Sequence, residues 1–301
     1  MRRFKRERYD MDPTPLISAA DWVAGGTYLG SSAGRTFYRD DGEGTPLVLL
    51  HGFPTWSYDW AEVARILAAD HRVVTLDFPG YGYSDKRGVD FSVGGSADAV
   101  ERLLAHLGIA HVALVIHDYG GIVGQELLDR RGRGVLSFKV DAVHVLNSGI
   151  VYAAYRPTRV QKLLAMPVIG AFVASRLTKE KLHAGLNTVR GSNKLDAAAF
   201  DQLWVGMSRG DGQKLAYRHI RYNAERARHH RRWEEALFRF DGPIQLIWGL
   251  ADPVSGRHVL EMARPLMPDA GIVELPRVGH FPQSEPPTEV AAAIRDAGAR
   301  A

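Results

Sequence analysis

A histidine, two aspartates and a knot of glycines stand where short apolar runs of this chain end. His117-Asp118-Tyr119-Gly120-Gly121 follows the run His111–Ile116. A strand that passes straight into a helix through a tight turn holds its apex residue in a strained conformation with little room for neighbours, and Gly120 and Gly121 supply that room. In a serine hydrolase the apex of G-x-S-x-G is serine; here it is Asp118, with Ile116 in place of the first glycine. A carboxylate needs no base to be nucleophilic, and it attacks saturated carbon to form an alkyl ester with the enzyme. Cleaving that ester takes a general base and a group to orient it. His280, in Gly279-His280-Phe281 after Ile272–Leu275, is the expected base. Asp252, in Gly249-Leu250-Ala251-Asp252-Pro253 after Ile244–Trp248, is the expected orienting acid. The strand Val140–Leu146 ends in Asn147 and Ser148, so it offers no carboxylate, and Asp141 lies at its wrong end. The oxyanion formed on ester hydrolysis calls for backbone N–H donors, expected from Phe53 and Tyr119; Pro54 has none to give. His51 and His117 read as hydrogen-bonded supports beside the site. Alone, Asp118 would read as a helix cap, Asp252-Pro253 as turn chemistry and His280 as a satisfied histidine. Their recurrence at successive strand ends favours chemistry, because ligands of open parallel sheets bind at the carboxyl ends of the strands.

The elements that must position these residues alternate. Thr36–Arg39 and Pro46–Leu50 read as strands separated by Asp40-Asp41-Gly42-Glu43-Gly44, and Arg72–Asp77 as a buried strand ending in Phe78-Pro79-Gly80. In Ala97–Leu107, Val100, Leu103, Leu104 and Leu107 share a helical face, and Gly121–Arg130 restarts a helix. From about Ser148 to Arg239 the texture is helical with no clear strand; strand and helix then return, closing on Pro286–Ala299. This order predicts an α/β fold: a mostly parallel central sheet, helices on both faces, and a helical cap inserted after the sixth strand. The expected core is 23–147 with 240–301, the cap is 148–239, and residues 1–22 are a tail.

Composition narrows the classes. The 301 residues, 46% of them hydrophobic, suffice for one large core with an insertion. No apolar run approaches the roughly eighteen residues of a membrane span. The basic start Met1–Arg8 has no apolar stretch behind it, so it does not read as a secretory signal. The absence of cysteine excludes disulfides, thiolate metal sites and a thiol nucleophile, and fits a cytoplasmic enzyme. The net charge of +4 is mild, and the cluster from Arg218 to Arg232 reads as a solvated or salt-bridged helix face rather than a nucleic-acid surface.

The motifs His51-Gly52-Phe53-Pro54, His117-Asp118-Tyr119-Gly120, Asp252 and Gly279-His280 resemble the epoxide hydrolase and haloalkane dehalogenase branch of the α/β-hydrolase fold family, from about Thr27 to the C-terminus. His51–Thr55 with Ser57-Tyr58-Asp59-Trp60, and Arg231-Arg232-Trp233, are similar to the mesoderm-specific transcript proteins of mammals. The resemblance implies a choice of substrate. Dehalogenases of this branch place tryptophan after the nucleophile to hold the departing halide, and many place a donor where Phe53 stands; Tyr119 and Phe53 depart from both patterns. Epoxide hydrolases use cap tyrosines to donate to the ring oxygen. Tyr222 occupies the late-cap position, but the early-cap position reads Ala171-Phe172, which leaves Tyr152 and Tyr155 as candidates for a second phenol. The expectation is therefore hydrolysis of a small apolar epoxide to a vicinal diol, with water as co-substrate and no metal or organic cofactor. Haloalkane dehalogenation and a non-catalytic, regulatory protein of the same fold are the rivals.

Overall fold

A computed structural model describes residues 17–298. In chain order the core begins with α1 (Ala19–Ala24), β1 (Thr27–Ser31), β2 (Gly34–Asp41), β3 (Thr45–Leu50), α2 (Ala61–Leu67) and β4 (His71–Leu76). It continues through α3 (Val93–His106), β5 (His111–His117), α4 (Tyr119–Gly132) and β6 (Lys139–Leu146). Between β6 and the next strand lie six α-helices: α5 (Arg159–Ala165), α6 (Ile169–Ser175), α7 (Lys179–Val189), α8 (Ala197–Ser208), α9 (Ala216–His219) and α10 (Tyr222–Phe238). The chain then returns through β7 (Ile244–Gly249), α11 (Arg257–Ala263), β8 (Gly271–Leu275) and α12 (Pro287–Gly298).

The strands form one sheet in the order β1-β2-β4-β3-β5-β6-β7-β8, antiparallel at β1–β2 and β2–β4 and parallel elsewhere. Parallel strands are buried on both faces and so are apolar throughout. β3 shows why: Val48 and Leu50 pack among Val100, Leu103 and Val123 of α3 and α4, while Leu47 and Leu49 pack among Val63, Leu67, Val290 and Ile294 of α2 and α12. The two layers bury the central strands and leave their ends open. β3 and β5 are neighbours, in register at Leu50 and Ile116, and the chain crosses over between them, so the loops bearing His51 and Asp118 face one crevice.

Two boundaries differ from the expectation. β1 is an additional strand, paired as an edge hairpin with β2; its residues are mostly exposed, so no apolar alternation marks it. The expected tail also ends sooner. Residues 1–16 lie outside the described residues, but Ser18 caps α1, whose Trp22 is buried at 1% exposure with its indole N–H on Ser57 Oγ at 3.2 Å. Burial of that one large ring turns the segment into part of the core. No helix of the described residues is long and apolar enough to cross a membrane.

Candidate active site

The turn between β5 and α4 is bent as its glycines require. Asp118 has φ 46° and ψ −111°, in the left-handed half of the map that a side chain seldom adopts. A Cβ on Gly120 would lie 2.3 Å from Leu50 O and 2.8 Å from His51 O, and one on Gly121 would lie 2.1 Å from Ser148 Oγ. Bare glycines let the turn pass against these atoms. The bend is fastened by hydrogen bonds: Gly120 N–H donates to His51 O at 3.0 Å, and Ser148 Oγ donates to Asp118 O at 2.8 Å.

The Asp118 side chain is buried at 4% exposure, with each oxygen accounted for. Oδ1 accepts the Phe53 N–H at 2.8 Å, and Oδ2 lies 3.4 Å from His280 Nε2. The His51 ring orients that donor. Burial pushes its pKa down, against the pull of Asp77, so the ring is neutral. Its Nε2 accepts the Phe78 N–H at 3.2 Å, which leaves Nδ1–H to donate to Gly52 O at 2.9 Å. In a trans peptide the C=O and N–H point oppositely, so fixing Gly52 O aims the Phe53 N–H at Asp118. The second expected donor, Tyr119 N–H, opens α4, where a helix leaves its first amides without internal partners.

His280 Nδ1 lies 2.7 Å from Asp252 Oδ2, which also accepts the Asn147 side-chain amide at 3.0 Å and Ser255 N–H at 3.0 Å; Val254 N–H donates to Oδ1 at 2.7 Å. The expected base, its acid and the elbow carboxylate are therefore brought together. Burial alone would depress the imidazole, but the Asp252 charge and the hydrogen bonds of both aspartates outweigh it and raise its pKa to about 10. For Asp118 burial raises the pKa, and the His280 bond and charge reverse this to a net lowering. His117 stands beside the triad: Nε2 donates to His280 O at 2.6 Å and Nδ1 accepts the Gln283 amide at 3.1 Å. Burial, then the His280 charge, lower its pKa to about 4, so it is a neutral support.

The three candidate phenols part company. Tyr222 is buried at 1% exposure, its ring 5.0 Å from that of Tyr119. Tyr155 lies under the Arg226 guanidinium at 4.4 Å, and its hydroxyl is buried with no hydrogen-bond partner among the described residues. Burial, then the Asp118 charge, push the Tyr155 phenol up to about 12; burial, then Tyr155, push Tyr222 up as well. Tyr152 does not lean inward as expected. It is 37% exposed and stacks on His230 at 4.6 Å, on the outer side of α10, because the 3₁₀ turn it opens carries it away from Tyr155.

Several partners were not foreseen. Asn147, noted only for lacking a carboxylate, fixes Asp252 and accepts Gly249 N–H at 2.6 Å. Glu285 accepts the amides of Gly279 and Gly191, pinning the His280 loop. Tyr81 is a second buried phenol without a partner among the described residues. Asp59, hydrogen-bonded by the Thr55 hydroxyl, has its pKa raised by burial to about 7. Sequence carried a signal only for Asn147, the polar residue at the end of β6. The Arg218–Arg232 cluster is partly a salt-bridged face, as expected: Arg232 pairs with Glu126 and Asp129 of α4.

A cavity of about 590 Å³ reaches the site at His280; Asp118 and Asp252 are not among its lining residues. Phe53, His280 and Phe281 form its inner end, and the helices between β6 and β7 supply most of its apolar walls, among them Leu164, Phe172 and Leu186. Neither Tyr155 nor Tyr222 is among the lining residues.

Residues 45–287 match the alpha/beta hydrolase fold family. The human mesoderm-specific transcript homolog protein is 35% identical over 295 residues, covering 91% of this chain and 87% of the relative. A haloalkane dehalogenase of Mycolicibacterium paratuberculosis is 31% identical over 234 residues, covering 74% of this chain and 73% of the relative. Among solved structures, an alpha/beta hydrolase fold protein from Burkholderia ambifaria superposes with a TM-score of 0.73 at 25% identity, over 90% of this chain and 97% of that one.

Proposed function

We propose that this chain, which belongs to the alpha/beta hydrolase fold family, is an epoxide hydrolase that works through a covalent ester on Asp118. The observation that carries the reading is the seating of Asp118: a carboxylate at the elbow, with one oxygen on the Phe53 N–H and the other facing His280. Held so, Asp118 is charged, and its neighbours Phe53 and His280 line the cavity. Asp118 Oδ2 attacks an epoxide carbon, the C–O bond breaks, and the ring oxygen takes a proton from a phenol. Tyr155 is the first candidate donor because its hydroxyl is buried and feels the Asp118 charge, with Tyr222 beside it. A phenol of raised pKa is still far more acidic than an alkoxide, so the transfer runs downhill.

Esterification neutralises Asp118. Two of the influences that raise the His280 pKa, the Asp118 bond and charge, vanish with it. The imidazole can then release its proton, which makes good the one the phenol gave up, and accept another from water, which attacks the ester carbonyl. The oxyanion is met by the N–H groups of Phe53 and Tyr119, each such donor contributing about 3 kcal/mol of barrier lowering. Collapse releases the diol and restores Asp118. The six helices between β6 and β7 act as the cap that excludes bulk water.

Haloalkane dehalogenation is the second reading, favoured by the Mycolicibacterium relative. Against it, the Tyr119 hydroxyl is tied to Ser96 Oγ at 2.7 Å rather than free to hold a halide, and Phe53 offers no side-chain donor. The test is a His280→Gln variant mixed with a panel of epoxides and haloalkanes. Attack survives and water activation is lost, so an epoxide adduct should accumulate on the Asp118 peptide in mass spectra, while diol turnover falls by at least about a hundredfold. If the first turnover of the parent enzyme in labelled water puts solvent oxygen directly into the diol, the covalent scheme is wrong. Halide release without diol would instead select the second reading.

A further inference from the structure

The α5–α6 hairpin forms one side of the cavity and turns an unusual face outward. Val160, Leu163, Met166, Val168, Ile169 and Phe172 are all exposed, from 43% at Leu163 to 88% at Val168. Apolar side chains scattered singly are ordinary, but a contiguous apolar patch marks an interaction site. Val168, at the tip, has φ 63°, a region disfavoured for a β-branched residue, so the most exposed apolar side chain sits on strained backbone.

Charge around the patch is predominantly positive. Between residues 156 and 181 there are six basic residues and one acidic residue, Glu180. Arg156, Arg159, Lys162, Arg176 and Lys181 are exposed, and Arg159, Lys162 and Arg176 have no carboxylate partner among the described residues. A second copy of the chain would bring like charge against like. An anionic lipid surface complements both features at once, with apolar tips entering the acyl boundary and basic side chains meeting the headgroups.

We propose that this hairpin docks the protein on anionic lipid bilayers, with Met166, Val168 and Ile169 leading. The cavity mouth shares the face: Arg159, Val160, Phe172 and Arg176 belong to the patch and also line the cavity. An apolar substrate dissolved in the bilayer could then enter the cavity without crossing bulk water. This inference rests on the surface and not on which bond the enzyme breaks.

The test is flotation of the full chain with phosphatidylcholine vesicles and with vesicles containing about one-third phosphatidylglycerol. The protein should float with the anionic vesicles, less so as salt rises, and stay behind with neutral ones. Met166→Asp/Val168→Asp, at exposed positions outside the cavity lining, should weaken binding by about tenfold or more. Lys162→Glu should weaken it by about fivefold or more. Unchanged circular dichroism and melting temperature would show that both variants fold. The proposal is overturned if the parent protein ignores anionic vesicles, or if Met166→Asp/Val168→Asp floats as well as the parent. It is equally overturned if the parent sediments as a dimer that this variant abolishes while neither binds lipid, since the face would then be a contact between copies.

Discussion

His280 lies between two carboxylates, and that placement couples its proposed role as a base to stability. Burial disfavours the imidazolium, but the Asp252 charge and the hydrogen bonds of Asp118 and Asp252 raise its pKa from 6.5 to about 10. The folded state therefore binds a proton more tightly than the unfolded one, and the resulting stability is complete below the unfolded value near 6.5 and fades as pH rises toward 10. The stability advantage of the parent over His280→Gln should shrink steadily across that window, as read from denaturant midpoints at several pH values. A constant difference from pH 6 to 10 would mean that folding leaves the imidazole pKa unmoved. At this scale much was legible. Asp118, Asp252 and His280 each follow an apolar strand-sized run, and strand ends are where such a sheet binds ligands. Tyr152 and Tyr155 were not separable, because they straddle an irregular turn in which three residues decide between an inward and an outward ring. Gln283 acts on His117 across the fold, and no local spacing encodes such a contact.

The elbow is the element on which the site depends, and its tolerance is set by backbone rather than side chains. A methyl group at position 120 would sit 2.3 Å from Leu50 O, at the end of β3, and no rotamer change can move a strand carbonyl. Gly120→Ala must therefore push β3 and α4 apart, at a cost of about 1–3 kcal/mol by analogy with overpacked cores. It should also lengthen the Phe53 N–H bond to Asp118. Activity should fall by at least about tenfold, more than the loss of folded protein explains. An active variant of unchanged denaturation midpoint would show that the turn has slack. The buried strands around this elbow announced themselves because both faces are apolar, as in Leu47–Leu50. β1 did not, since an exposed edge strand needs no pattern beyond its pairing with β2. The helices from α5 to α10 were legible as helical texture, whereas their individual ends depend on caps and tertiary contacts.

At the scale of the whole molecule, α1 helps tie the helices between β6 and β7 to the core. Ala19 N–H donates to Gln202 Oε1 of α8 at 2.8 Å, joining α1 to that insertion. Trp22 joins α1 to the core: its indole donates to Ser57, its ring meets Tyr58 edge-on at 6.2 Å, and the Arg39 guanidinium lies 4.5 Å from its centroid. α1 has only six residues and could not persist alone, so its order comes from this packing. Trp22→Ala should then cost about 3–5 kcal/mol, the range for removing a buried aromatic ring. Because α1 bridges two regions, loosening it should also release α8, visible as faster amide exchange around Ala197–Ser208 than in β5. Gln202→Ala removes only one bridging bond and should cost about 1 kcal/mol. If Trp22→Ala shifted the denaturation midpoint no more than Gln202→Ala does, α1 would be an ornament on the surface rather than the clasp between the helices and the sheet.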